Sequence, residues 1–63
     1  MPAAAVQAEA LRPSQPISDS TPIICCHRQM WHHRIGPGTA DWECDTCELS
    51  IAARGGRIQL IHH

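Results

Sequence analysis

The amino-acid sequence predicts a small β-rich domain of two hairpins, stapled by a bound metal ion and preceded by a disordered N-terminal arm. Three observations carry that expectation. The chain has 63 residues with no Phe, no Tyr and two Trp, so its apolar core is too small to hold without a staple. Four cysteines fall within residues 25–47, the last two as Cys44-Asp45-Thr46-Cys47. Two breaks, Gly36-Pro37-Gly38 and Gly55-Gly56, each separate stretches able to run as paired strands.

The arm comes first. Residues 1–22 contain Pro2, Pro13, Pro16 and Pro22 together with Ser14, Ser18 and Ser20, a composition that resists packing. The expected division is therefore a disordered arm over 1–22 and a metal-binding domain over 23–63. Within the arm one short helix is conceivable from Ala3 to Leu11, with Pro2 at its first position and Pro13 ending it. So short a helix is marginal in water and would form best against a partner.

The first hairpin is expected from an extended Ile23–His33 and a return over Thr39–Cys44. It would carry Cys25, Cys26 and His27 back toward Cys44 and Cys47. The second stretch, "ELSIAARGGRIQLIHH", supports two readings. A hairpin turning at Gly55-Gly56 pairs Arg54 with Arg57, Ala53 with Ile58, Ile51 with Leu60 and Leu49 with His62, which puts the apolar set on one face. The alternative is a short helix over 46–54, capped by Asp45 with Glu48 three residues on and ended by Gly55. The hairpin is preferred.

Cys44-x2-Cys47 is the most specific chemical signal. Two intervening residues let a tight turn aim both thiolates at one ion, with sulfur about 2.3 Å from zinc. A redox dithiol of thioredoxin type needs a βαβ frame that this chain is too short to supply. The other half-site is irregular, because neither Cys25 nor Cys26 is followed three positions on by a second ligand. On an extended strand Cys25 and His27 share a face and Cys26 points away; alternatively Cys26 is the ligand, joined by His27, His32 or His33. The ligands are thus drawn from Cys25, Cys26, His27, Cys44 and Cys47, and the expected cofactor is Zn2+.

Residues 25–47 resemble a small zinc ribbon or treble-clef zinc finger, with a ligand-bearing element, a hairpin and a second knuckle "WECDTC" in which Trp42 stands two residues before the first cysteine. The helix over 46–54 would make it the treble-clef variant. Proteins of this kind commonly serve as nucleic-acid-binding or protein-docking modules in transcription, repair or mobile-element machinery, and the resemblance implies such a role here.

Composition narrows the choice. Net charge is −1 and all five basic residues are Arg, which favours neither nucleic acid nor a membrane surface. The expected function is a regulator or inhibitor docking on a larger protein machine, with Arg28, Trp31, Arg34 and Trp42 as contacts. The alternative is nucleic-acid binding through Arg28, Arg34, Arg54 and Arg57 with an exposed Trp. No catalytic motif appears, so an enzyme is not expected. Lacking a secretory signal or an apolar span, the chain is read as cytoplasmic, where clustered cysteines favour metal over disulfides. A secreted two-disulfide peptide is the minor alternative.

Overall fold

The computed structural model describes residues 4–62. Among the described residues seven short strands form two sheets. In the smaller sheet β1 (Val6–Gln7) runs parallel to β2 (Ile23–Cys25), which pairs antiparallel with β3 (Arg28–Gln29). The larger is an antiparallel meander of β4 (Trp31–Gly36), β5 (Thr39–Glu43), β6 (Ser50–Arg54) and β7 (Arg57–His62). The β-rich expectation and both hairpin turns are found, and the segment that the alternative reading made a helix over 46–54 is instead a loop leading into β6.

Strand alternation sets the core. Ala40 and Trp42 on β5, Ile51 and Ala53 on β6 and Ile58 on β7 are essentially fully buried, whereas Asp41, Ala52 and Leu60 turn to the opposite face. Ile23 from the smaller sheet, Met30 from the link between β3 and β4, and Leu49 join the same core cluster. Each fully buried Ile contributes roughly 1.5–3 kcal/mol, and the Trp42 indole N–H is satisfied by the Thr21 carbonyl at 3.0 Å.

Three local expectations are corrected. The extended stretch Ile23–His33 is broken, because Cys26 (φ 53°) and His27 (φ 63°) are both left-handed and turn the chain between β2 and β3. The last hairpin begins in the expected register, Arg54 with Arg57 and Ala53 with Ile58, but a bulge then shifts the pairing to Ala52 with Leu60, Ile51 with Ile61 and Ser50 with His62. One extra residue on β7 exchanges the faces of the rest of the strand. Leu60 is consequently exposed, and Ile61 takes the inward place beside Ile51.

The third correction concerns the N-terminal segment. Pro2 and Ala3 of the expected helix lie outside the described residues, and Val6–Ala10 forms β1 and a single 3-10 turn. Residues expected as a disordered arm follow a defined course, with Ala8 and Leu11 buried in the core they share with residues 23–62 and Thr21 buried as well. Ile58 N–H donates to the Gln15 carbonyl at 2.9 Å and Ser14 N–H to the Ile58 carbonyl at 2.7 Å, so the segment pairs along the outer edge of β7. Such pairing satisfies an edge that would otherwise be open.

At that end of the sheet the two hairpin turns touch. Gly56 N–H donates to the Gly38 carbonyl at 2.9 Å. A Cβ on Gly38 would lie 2.8 Å from the Gly56 nitrogen, and Gly38 has φ +69°, so both the contact and the conformation require glycine. Asp19 locks the same corner: its carboxylate accepts from the Gly38 N–H at 2.8 Å and pairs with the Arg34 guanidinium at 3.3 Å, while its carbonyl accepts from His32 Nε2 at 2.6 Å.

Candidate metal centre

The cysteines gather at the opposite end of the sheet. Cys44 and Cys47 come from the loop joining β5 to β6, closed by Cys44 N–H to the Leu49 carbonyl at 2.9 Å and Glu48 N–H to the Cys44 carbonyl at 3.1 Å. Glu48 itself is left-handed at φ 63°, which lets the chain reverse directly after the second cysteine. Cys25 ends β2 and Cys26 opens the β2–β3 turn. The left-handed backbone at Cys26 and His27 has a direct consequence: Cys26 does not point away, and both adjacent sulfurs enter one cluster.

All four Sγ atoms lie within 4.8 Å of one another. Cys25 Sγ is 3.3 Å from Cys47 Sγ and 3.7 Å from Cys26 Sγ, and all four cysteines are free thiols. Four sulfurs around one zinc at about 2.3 Å stand about 3.8 Å apart along the edges of a tetrahedron. The cluster is close to that size.

Electrostatics points the same way. Backbone N–H groups of Cys47 and Thr46 aim at the Cys44 sulfur and lower its pKa to about 6. Burial, with the crowding thiols of Cys47, Cys44 and Cys26, pushes Cys25 well above the ordinary thiol range. Cys26 is raised chiefly by its contact with the Cys47 thiol. A thiolate is favoured at Cys44 and disfavoured at Cys25 and Cys26, whose crowded sulfurs resist carrying a second negative charge in so small a volume. A divalent cation at the centre removes that conflict and would let every thiol ionise. The donor set therefore fits a metal ion.

The other sequence candidates are placed differently. His27 is exposed and lies outside this group, and His32 is stacked on Trp42 with ring centroids 5.1 Å apart. Among the proposed partner contacts, Trp31 is 64% exposed and Arg28 is exposed, but Trp42 is wholly buried and serves the core. Arg34 is held by Asp19 and Arg54 by Asp41 at 3.0 Å. Asp19 escaped the sequence reading, since nothing in Ser18-Asp19-Ser20 signals contacts with residues 32–38.

No described helix is long and apolar enough to cross a membrane. Comparison of the chain with protein-family models, with curated proteins and with solved structures finds no match.

Proposed function

We propose that this chain is a zinc-stapled interaction module of zinc-ribbon type, in which Cys25, Cys26, Cys44 and Cys47 hold one Zn2+ and the exposed side of β4 docks on a protein partner as a regulator or inhibitor of a larger machine. The observation that carries the reading is the convergence of all four thiols, from two turns far apart in sequence, within 4.8 Å. Four sulfur ligands close the coordination sphere, and a closed sphere is structural rather than catalytic. An enzyme is accordingly not proposed. Free thiols holding zinc suit a reducing, cytoplasmic setting.

A protein partner is favoured over DNA or RNA by the state of the arginines and tryptophans. Two of the four arginines that would bind phosphate are already paired with carboxylates, and one of the two tryptophans is buried. What stays on offer is Trp31 with Ile35, 64% and 62% exposed on the edge strand β4, and Arg28, exposed on β3. Aromatic and arginine anchors of this kind dominate protein interfaces.

Native mass spectrometry of the untagged chain, purified under reducing conditions without added metal, tests the metal. One zinc per chain, lost together with the folded charge states on chelation, is the expected result; a metal-free folded chain overturns it. Titration with DNA and RNA at two salt concentrations tests the surface. Affinity that falls steeply with salt would favour phosphate contacts and reject the protein-partner reading.

A further inference from the structure

The four thiols are not equally reachable. Cys44 is buried, Cys25 and Cys47 are half-buried, and Cys26 is exposed. A cleft of about 500 Å³ lies between the 3-10 turn, the β2–β3 turn and the strand ends at Leu49 and Ile61, and its wall includes Cys25, Cys26 and His27 but neither Cys44 nor Cys47. Solvent and small solutes therefore meet the cluster from the side of the β2–β3 turn.

We propose that Cys26 is the site at which a peroxide enters the cluster, and that its oxidation closes a Cys26–Cys47 disulfide that expels the metal. The proposal rests on the metal reading above. In the first step the Cys26 sulfur attacks one peroxide oxygen, the O–O bond breaks, and hydroxide leaves to be protonated, giving a sulfenic acid and water. In the second, the Cys47 sulfur attacks the Cys26 sulfur, the S–O bond breaks, and the departing hydroxide takes a proton to become a second water. Two thiols are oxidised to one disulfide, and one peroxide is reduced to two waters.

Geometry selects Cys47 as the resolving thiol. Cys25 is adjacent in sequence, and Cα atoms across a trans peptide stand about 3.8 Å apart, closer than the roughly 4.4 Å at which ordinary disulfides begin. Cys44 is buried and its sulfur faces the backbone N–H groups of its own turn. Cys47 is half-buried, comes from the opposite turn and lies within the 4.8 Å group. The product bridges the two turns covalently but leaves two sulfurs where four held the ion, so the metal is lost.

The test uses the zinc-loaded full chain treated with limiting hydrogen peroxide. With dimedone present, the adduct is expected first on Cys26, located by fragment ions that split Cys25 from Cys26. Without dimedone, peptide mapping should find the Cys26–Cys47 disulfide as a chromogenic chelator records released zinc, and dithiothreitol should reverse both. A first adduct on Cys25, Cys44 or Cys47, or zinc release with Cys26 unmodified, overturns the proposal. Cys26→His keeps a metal ligand but removes the thiol, and should release zinc to peroxide roughly tenfold more slowly or less; release at the native rate overturns the proposal. If that variant binds no zinc, the order of trapping in the native chain decides. Should the native chain carry no zinc, the metal reading fails by mass alone, while the order of trapping on the metal-free thiols still decides whether Cys26 is oxidised first.

Discussion

The two ends of the four-stranded sheet are held by different means. At one end four sulfurs from two turns face each other across a few ångströms, a donor set that a cation would hold together by letting the thiols ionise. At the other, Gly38 and Gly56 meet backbone to backbone, residues 14–17 pair along β7, and Asp19 ties Gly38, Arg34 and His32 together. The second end is complete in itself, whereas the first, on the zinc reading proposed above, depends on a ligand from outside. A chain this small can spread its stabilisation unevenly because its core, built around Trp42, Ile23, Ile51 and Ile58, is shared by both ends.

The largest expected effect breaks the cysteine end. Structural zinc contributes an apparent ~10–16 kcal/mol in small zinc domains, more than a domain of this size can lose. Cys44→Ser and Cys47→Ser should therefore abolish the cooperative thermal transition, followed by circular dichroism, in zinc-containing buffer. With both Cys25 and Cys26 in the cluster, Cys25→Ser and Cys26→Ser should resemble each other. A native-like transition in all four variants would make the glycine end the dominant one and reverse the comparison.

Breaking the other end should cost less. Gly38→Ala places a Cβ 2.8 Å from the Gly56 nitrogen at φ +69°, and the strain and the clash together should cost about 2–4 kcal/mol in urea denaturation of the zinc-loaded chain. Gly55 also has positive φ, +63°, but a Cβ added there would meet nothing within 4 Å. Gly55→Asn should cost less than about 1 kcal/mol, since Asn accepts this conformation, and equal costs at the two glycines would refute the backbone contact.

Asp19 sharpens the comparison through pH. The Gly38 N–H foremost, and the Arg34 guanidinium, hold its carboxyl below the ordinary 3.8, against an opposing effect of desolvation. A carboxyl with a depressed folded value contributes its full stabilisation above the unfolded value and loses it as pH falls through the folded one. Asp19→Asn should thus lower the melting temperature at neutral pH, and its curve should converge with the native one in acid. A constant gap at every pH would show that the charge is not what holds the corner.

The smallest effect expected is a gain. Glu48 adopts φ 63° directly after Cys47, a conformation that costs a side chain about 1 kcal/mol relative to glycine. Glu48→Gly should raise stability by up to that amount and leave zinc stoichiometry unchanged. A loss instead would mean that the Glu48 side chain supports the turn.

How far the fold could be read in advance varied with the kind of signal. The Gly36-Pro37-Gly38 and Gly55-Gly56 turns and the Cys44-x2-Cys47 pair were readable because each needs only neighbouring residues. The place of Cys26 was not, because Cys26 and His27 carry neither glycine nor asparagine to announce the positive φ that turns both sulfurs inward. The slip that exposes Leu60 was hidden for a related reason: a bulge leaves the apolar pattern almost as compatible with one register as with the other.

The sequence by itself determined the strand-rich class, the two hairpins and the presence of soft ligands in number and spacing for a metal, since turn chemistry and side-chain alternation act over a few residues. Only the tertiary structure decided that Cys25 and Cys26 join the cluster without His27, that Trp42 is core, and that Ala8, Leu11 and Thr21 pack in place of a free arm. Those outcomes depend on surfaces brought together from distant parts of the chain, and burial against such a surface outweighs what proline- and serine-rich composition favours locally.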